Sequence, residues 1–290
     1  MYTIGEASAR SGVSVPLLRA WQRRYGIVAP ERSSAGYRLY DDAAVATLRR
    51  MRRLVDSGWS PAQAAEAIRT GRAIADEVQT PPPPVPFDER VQQIVRAASD
   101  LDTAALDRAL DDAFLVADLD RSLESIVLPA LVAIGDDWAD GRTDVAGEHL
   151  ASQAVLRRLA LAFQAASSGD TRPLVLVGLP PDSRHEIGAL AFATIARRNG
   201  LGVVYLGPDT PLESWRTAVD ELKPDAVVLG IAMPEDAAAA AGVAAAVGAT
   251  PVYVGGQPAG AVGSGASITP LSGLRAAVDQ LRTDLRRRDR

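Results

Sequence analysis

The stretch Leu179-Pro-Pro-Asp-Ser-Arg-His-Glu-Ile-Gly188 joins a predicted strand to a predicted helix. The apolar, β-branched run Leu174–Gly178 before it is typical of a buried parallel strand. After it, apolar residues recur at helical spacing from Ile187 to Ile195. His185 therefore lies on a strand-to-helix loop, at the edge where open α/β sheets bind their ligands. A single loop histidine is also commonly a solvated polar side chain, so the rest of the sequence must decide between these interpretations.

Strand and helix patterns alternate throughout residues 171–290, which we treat as one domain. The predicted strands are Leu174–Gly178, Gly202–Leu206, Ala226–Ile231, Pro251–Gly255 and, weakly, Ser267–Thr269. Helical patterns lie between and after them, near 187–199, 211–222, 235–247 and 271–286. This alternation predicts a doubly wound parallel sheet of the Rossmann-like, flavodoxin-like class. No Gly-x-Gly-x-x-Gly turn follows the first strand and Lys223 is the only lysine, so a nucleotide site is weakly supported.

Residues 88–170 carry apolar residues at helical spacing and no strand signal, which predicts a four-helix bundle. A proline-rich stretch, Thr80–Phe87, precedes them and predicts a semi-rigid linker over residues 79–87. Asp140-Gly141 is expected to end the third helix, and Thr143 or Asp144 can cap the fourth.

The junction between the third and fourth helices holds three chemically notable side chains. Trp138 is followed, after nine residues, by Glu148-His149. An aromatic ring, a carboxylate and an imidazole can therefore face one place. The alternative is a tryptophan packed at a helix end beside two exposed polar residues.

Composition limits the classes of protein and partner. The chain has 290 residues and no cysteine, which excludes disulfides, thiolate metal sites and cysteine nucleophiles. No apolar run approaches about 20 residues and no signal-peptide pattern is present, so a soluble, cytoplasmic protein without membrane contact is expected. Residues 1–78 carry 12 arginines against 8 acidic residues, whereas the remainder has a net charge of −9. This asymmetry indicates an N-terminal domain that meets a polyanion.

The basic segment 1–78 reads as helix, glycine-containing turn, helix. The predicted helices Thr3–Ala9 and Val15–Arg24 flank the turn Ser11-Gly-Val-Ser14. A hairpin-like excursion over Pro30–Tyr40 can form a wing, and two more amphipathic helices are predicted at Asp42–Ser57 and Ser60–Gly71.

This segment resembles the MerR family of transcription regulators. The resemblance is carried by Thr3-Ile-Gly-Glu-Ala, Val13-Ser-Val, Leu18-Arg-Ala-Trp-Gln-Arg-Arg-Tyr-Gly26 and Gly36-Tyr-Arg-Leu-Tyr40. It implies a winged helix-turn-helix that binds double-stranded, pseudo-palindromic operators as a homo-oligomer, a dimer or a tetramer. The resemblance implies DNA contacts by Arg19, Trp21, Arg23, Tyr37 and Arg38. Arg32 is added to them because it lies on the predicted wing.

The sheet domain resembles cobalamin-binding domains. Their Asp/Glu-x-His-x-x-Gly loop is matched from its histidine onward by His185-Glu-Ile-Gly188. Forty-one residues then lead to Gly230-Ile-Ala232, and Gly255-Gly256 follows further on. Together with Trp138 and Glu148-His149 behind a MerR-type head, this resembles the light-sensing repressors of the CarH/LitR type over essentially the whole chain.

The resemblance implies adenosylcobalamin as the cofactor and assigns a role to each motif residue. His185 would be the lower axial ligand of the cobalt, and the nucleotide tail would enter a glycine-lined slot. Trp138 would cover the upper face of the corrin, while Glu148 and His149 contact the adenosyl group. The implied cofactor-binding residues are Trp138, Glu148, His149, Ser183, His185, Gly188, Gly230, Gly255 and Gly256.

Three positions depart from the pattern. Ser183 stands where an acidic residue normally holds the second imidazole nitrogen, although Asp182 is adjacent. Gly230 replaces the usual serine of the tail pocket, and Ala139 replaces a histidine that can ligate cobalt after photolysis in light-sensing relatives. These departures bear on how firmly cobalamin is held and on what light leaves behind.

The sequence thus predicts a multidomain α and α/β protein: a winged helix-turn-helix head (1–78), a linker (79–87), a helical bundle (88–170) and a cobalamin-binding domain (171–290). The predicted function is a non-enzymatic, light-responsive transcriptional repressor. The alternatives are a MerR-type regulator whose sheet domain acts through protein contacts without cobalamin, and a corrinoid enzyme module.

Overall fold

The structure is a computed structural model that describes residues 1–32, 38–70, 86–114, 119–166, 173–256 and 268–288. The chain forms two compact units. The first comprises residues 1–94 and 104–122, and the second comprises residues 95–103 and 123–290. Within the described ranges, no helix combines the length and the apolar character needed to cross a bilayer. The predicted boundaries at residues 78 and 170 lie outside the described residues.

The N-terminal part of the first unit contains the predicted helix-turn-helix. Thr3 caps the first helix, because its hydroxyl accepts from the Glu6 amide while the Glu6 carboxylate accepts from the Thr3 amide. Gly12 ends this helix with a left-handed backbone, φ +71°, which glycine adopts without steric cost. The elements are α1 Ile4–Ser11, α2 Val15–Tyr25, β1 Glu31–Arg32, β2 Arg38–Leu39, α3 Asp42–Asp56 and α4 Pro61–Arg69. Strand β1 pairs antiparallel with β2, as the predicted wing requires.

Helix α2 turns one face into the core of the head and the other toward solvent. Leu18 and Trp21 belong to the buried cluster, and Trp21 is only 1% exposed. Arg19 and Arg23 lie on the exposed face of the same helix. The predicted DNA contact by Trp21 is therefore wrong, because a ring enclosed in the core has no surface to present to DNA.

The segment after the head contains only helices and their turns among its described residues. Its elements are α5 Phe87–Ser99, α6 Thr103–Phe114, α7 Leu119–Ser122, a π-helical turn Leu123–Val127, α8 Leu128–Ala139 and α9 Val145–Ala165. The prediction placed Phe87 in the linker, but the structure begins α5 there. Asp88 and Glu89 suit a first helical turn because carboxylates are favourable near a helix N-terminus. The rest of the predicted linker, residues 79–85, lies outside the described residues.

The π-helical turn was not predicted from the sequence. Pro129 lies just after it and lacks the amide that would donate to the carbonyl one helical turn earlier, so the backbone widens ahead of it. Within this turn Glu124 accepts hydrogen bonds from the amides of Leu274 and Arg275, at 2.5 and 3.0 Å. These amides begin the last helix of the chain, where a carboxylate is favourable. Glu124 thus joins the helical segment to the sheet within the second unit.

The described part of residues 173–288 contains a five-stranded parallel sheet in the order β4-β3-β5-β6-β7. The strands are β3 Leu174–Gly178, β4 Gly202–Gly207, β5 Ala226–Gly230, β6 Val252–Gly255 and β7 Ile268–Leu271. The helices are α10 Ile187–Arg198, α11 Leu212–Leu222, α12 Asp236–Ala246 and α13 Arg275–Arg288. This order confirms the predicted doubly wound, flavodoxin-like architecture. The weakly predicted fifth strand is present as β7.

The strand sequences explain why the sheet lies at the centre of the domain. The side chains of Val175, Leu176 and Val177 are all fully buried, as expected for a strand covered by helices on both faces. Trp215 of α11 is buried in the same cluster as Leu176. Helix α10 is buried along most of its length, because it lies between the sheet and helix α9.

We predict that Trp21→Ala lowers the free energy of unfolding of the head by about 3–5 kcal/mol, since it leaves a cavity in the core. The matched control is Arg19→Ala, which removes an exposed side chain from the same helix and should change stability by less than about 0.5 kcal/mol. Urea unfolding followed by circular dichroism measures both. Equal stability of the two variants would contradict the burial of Trp21.

Candidate functional site

The carboxyl ends of β3, β5 and β6 form one edge of the sheet. Gly178 pairs with Leu229 at the ends of β3 and β5, and Gly230 pairs with Gly255 at the ends of β5 and β6. From β3 the chain crosses to β4 on one side, whereas from β5 it crosses to β6 on the other. Open α/β sheets bind ligands where their connections diverge in this way. The histidine loop leaves β3 at this divergence.

The loop between β3 and α10 is fixed to the rest of the sheet through its backbone. The Asp182 amide donates to the Asp209 carboxylate at 2.8 Å, and the Asp209 amide donates to the Ser183 carbonyl at 2.9 Å. Asp182 has a left-handed backbone, φ +65°, so the loop reverses sharply there. The side chain of His185 is exposed and has no hydrogen-bond partner among the described residues. Its imidazole is therefore open to an external ligand.

Ser183 is buried, with 1% of its surface exposed, and its hydroxyl has no partner in the described part of the chain. Buried hydroxyl groups are normally hydrogen-bonded, so this one is available to a water molecule or a ligand. The adjacent Asp182 does not replace the missing acid, because its side chain is exposed and makes no hydrogen bond to His185. Among the residues that the structure describes, none therefore places a carboxylate behind the imidazole.

The motif glycines serve different purposes in the structure. A Cβ at Gly256 would overlap the carbonyl of Ile231, and its φ of +126° is a conformation that other residues rarely adopt. A Cβ at Gly230 would lie 2.7 Å from the Cβ of Ala189 on α10, closer than real side chains approach. A Cβ added at Gly188 would lie in open space. A Cβ added at Gly255 would have its nearest neighbouring atom 4.0 Å away, an ordinary van der Waals distance.

The side chains predicted above the corrin lie at the junction of α8 and α9. Trp138 is 52% exposed near the end of α8, which leaves a large apolar surface without cover. Glu148 and His149 are brought together at the start of α9: one carboxylate oxygen lies 2.6 Å from Nδ1 of His149. The other oxygen accepts from the Ser152 hydroxyl at 2.6 Å. Ser152 was not predicted as part of this cluster.

The turn between α8 and α9 has its own ion pairs. Arg142 donates to the carboxylates of Asp137 and Asp140, with distances of 2.6 to 2.8 Å. These contacts raise the pKa of the Arg142 guanidinium above its usual value, mainly through the bond to Asp137. Asp144, one of the two predicted caps, accepts from the Ala146 amide at 2.8 Å. The turn that separates Trp138 from Glu148 is thus held by local contacts.

The candidate nucleic-acid interface lies on the head. Arg19 and Arg23 are exposed on α2, and Arg38 is exposed on β2 of the wing. Exposed guanidinium groups on a helix and a wing suit contacts to phosphates and base edges. The backbone of Arg32 belongs to β1. The side chain of Arg32 and the whole of Tyr37 lie outside the part of the chain that the structure describes.

A second face of α2 meets the helical segment of the same unit. Arg24 forms an ion pair with the buried Asp111 on α6, and the Tyr25 hydroxyl donates to Asp112 at 3.3 Å. Burial raises the pKa of the Asp112 carboxyl above its usual value. Burial also raises the pKa of the Tyr25 hydroxyl, and the nearby charge of Asp112 adds to that increase. The sequence offered no signal for these contacts, since 87 residues separate each pair.

Two family comparisons match the two halves of this arrangement. Residues 2–70 match the MerR HTH family regulatory protein model, and residues 90–162 match the B12 binding domain model. The chain is 35% identical over 79% of its length to the HTH-type transcriptional repressor CarH of Myxococcus xanthus, covering 78% of that protein. It is 34% identical over 76% of its length to the repressor CarA of the same organism, covering 72% of that protein.

The chain belongs to this family of MerR-type transcription regulators. The predicted class, a cobalamin-dependent regulator, is confirmed by the combination of a MerR-type head and a B12 binding domain. These matches favour it over a regulator that acts without cobalamin. They also disfavour a corrinoid enzyme module, because the curated relatives are transcription regulators.

A solved structure supports the fold alone. The monomethylamine corrinoid protein of Methanosarcina barkeri is 16% identical, and it aligns over 68% of this chain and 100% of its own length with a TM-score of 0.55. The B12 binding domain match covers the helical segment rather than the sheet. The roles of individual residues at the sheet edge therefore stay predictions that rest on the geometry above.

We predict that Gly230→Ser, which restores the serine expected by resemblance, lowers the free energy of unfolding by about 1–3 kcal/mol through overpacking against Ala189. In an Ala189→Gly background this cost should largely disappear, because the contacting methyl group is gone. Urea unfolding of the single and double variants measures the coupling. Gly188→Ser is the control, since its Cβ meets open space. Additive effects of Gly230→Ser and Ala189→Gly would contradict this packing.

Proposed function

We propose that this protein is an adenosylcobalamin-dependent, light-responsive transcriptional repressor that binds its operator as a homo-oligomer. The proposal extends the family membership in three respects: the adenosyl form of the cofactor, the response to light and the oligomer. The observation that supports it most is the position of His185 where the sheet connections diverge: its side chain is exposed and has no hydrogen-bond partner in the described part of the chain.

The residues at the sheet edge suit a corrinoid. His185 would supply an imidazole nitrogen to the cobalt. The backbone at Gly256 leaves no room for a side chain, and the buried hydroxyl of Ser183 can bond a polar atom of the nucleotide tail. Gly230 offers no hydroxyl, so the tail would be held there by packing alone.

The residues at the junction of α8 and α9 suit the upper ligand. Trp138 presents an exposed apolar ring, and Glu148 with His149 presents a bonded pair of polar groups that can accept or donate to an adenosyl group. When bound, adenosylcobalamin supplies a cobalt–carbon bond that light breaks. The chain would respond because Trp138, Glu148 and His149 contact the upper group only while that group is present.

The protein would act as a repressor if it assembles on DNA while the upper group of the cofactor is bound. A ligand shifts an assembly only by its different affinity for two states, so the α8–α9 junction must be arranged differently without the upper group. Arg19, Arg23 and Arg38 on each head would then contact successive half-sites, and separation of the subunits would remove the paired contacts.

We predict that illumination lowers the mass of the oligomer and releases operator DNA. The measurement is size-exclusion chromatography with light scattering, in darkness and after light, on full-length protein loaded with adenosylcobalamin. His185→Ala should weaken cofactor retention and abolish the light response. Arg19→Ala should keep the cofactor and the light-dependent mass but bind DNA more weakly, with a salt slope lower by about one unit.

Spectra of each chromatographic peak test the ligand assignment. We expect one imidazole on cobalt in darkness and no second one after light, since Ala139 carries no imidazole and His149 is bonded to Glu148. An oligomer that light does not change would overturn the proposed photoresponse. A wild-type spectrum in His185→Ala would overturn the assignment of the lower ligand.

A further inference from the structure

The residue after His185 is held by a tyrosine on the neighbouring strand. The Tyr205 hydroxyl, on β4, donates to the Glu186 carboxylate at 2.9 Å. The backbone of Glu186 is also fixed: its amide donates to the Arg184 carbonyl and its carbonyl accepts from the Leu190 amide, both at 2.9 Å. His185 therefore lies between two fixed parts of the chain. On one side, Glu186 is held by its side chain and its backbone; on the other side, the loop is bonded to Asp209.

Tyr205 also contacts the helix that carries Glu148 and His149. Its ring meets the Phe163 ring of α9 edge to face, with centroids 6.2 Å apart and an angle of 62°. Arg197 of α10 lies over the same Phe163 ring, 3.6 Å from the centroid. It donates to the carbonyls of Phe163 and Val203, at 3.2 and 2.7 Å. Tyr205 thus lies where the histidine loop, strand β4 and helix α9 meet.

The need for such an anchor follows from what the loop lacks. An axial imidazole is normally oriented by a hydrogen bond to its second nitrogen, but Ser183 offers no carboxylate and Asp182 makes no bond to His185. The chain must then restrict His185 through its backbone. The hydrogen bond from Tyr205 to Glu186 is partly buried and has a charged acceptor, and Glu186 is adjacent to His185 in the sequence.

We propose that Glu186 and Tyr205 are positioning residues for His185: their hydrogen bond fixes the end of the histidine loop and links it to helix α9 through Phe163. This inference rests on the proposed role of His185 as the lower ligand of cobalt. This role acts through His185 and requires no contact between either residue and the cofactor. They act by raising the fraction of molecules in which the imidazole is in place to bind.

The test removes one oxygen atom. Tyr205→Phe deletes the hydroxyl and keeps the ring contact with Phe163. Full-length protein is titrated with adenosylcobalamin in darkness, and the visible spectrum reports the imidazole-ligated fraction at each concentration. We expect that fraction and the affinity to fall by about tenfold, the size of one hydrogen bond to a charged group. Glu186→Gln keeps an acceptor for the Tyr205 hydroxyl and should be closer to wild type than Glu186→Ala.

Tyr253→Phe is the matched control. It deletes another tyrosine hydroxyl of the same sheet, which donates to Asp284 at 3.4 Å, away from the histidine loop. We expect the control to keep the wild-type spectrum. Equal spectral losses in Tyr205→Phe and Tyr253→Phe, in step with their melting temperatures, would show a purely structural role and overturn the inference.

The remaining outcomes separate this inference from the proposed function. If His185→Ala loses the imidazole spectrum while Tyr205→Phe and Glu186→Ala retain it at full affinity, the positioning role is overturned and the ligand assignment stands. If the wild-type protein shows no imidazole ligation at any cofactor concentration, the proposed function itself fails, and the inference fails with it.

Discussion

Two crossovers that leave neighbouring strands in opposite directions determine where this protein can hold a ligand. The chain departs from β3 toward β4 and from β5 toward β6, so the ends of β3 and β5 are not bridged by a common connection. The histidine loop, Gly230 and the Gly255-Gly256 pair all lie at the carboxyl ends of these strands. Their positions along the sequence are far apart, and only parallel pairing in this order brings them to one edge.

The close packing of α10 on the sheet bears on one of the three departures from the pattern, the glycine at position 230. Ala189 occupies the space that a side chain on β5 would need at Gly230, so a serine there would require the helix or the strand to shift. The same helix begins directly after its N-cap residue Glu186 and carries Arg197, which binds α9. A single helix thus connects the ligand edge of the sheet with the helices beside it, and small residues on it decide how near it comes.

The sequence predicts those parts of the fold that depend on local patterns. The buried strands read as continuous apolar runs, and the helices follow the 3.6-residue period, so their positions were predicted to within a few residues. Trp21 was misassigned because an aromatic residue between arginines suits both a DNA contact and a core position. Only the packing of α2 against the rest of the head distinguishes the two.

Contacts between distant residues were beyond prediction. The bond of Tyr205 to Glu186, the capping of α13 by Glu124 and the fit of Ala189 beside Gly230 each join residues that no periodicity relates. The π-helical turn before Pro129 was likewise missed, since a proline near a helix start is also compatible with an ordinary α-helix. The motif residues of the site were predicted, whereas the residues that hold them in place were not.

The contact between α2 and α6 limits how the head can be exchanged. Arg19 and Arg23 face solvent, whereas Arg24 and Tyr25 on the same helix are engaged by Asp111 and Asp112. A chimera that takes its DNA specificity from a related regulator would import a new α2 and lose these partners. Asp111 would then remain buried without Arg24, and Asp112 would remain partly buried without the Tyr25 hydroxyl, which is unfavourable for folding. Operator specificity in this protein should therefore be redesigned at the proposed contact positions 19 and 23, with positions 24 and 25 left unchanged.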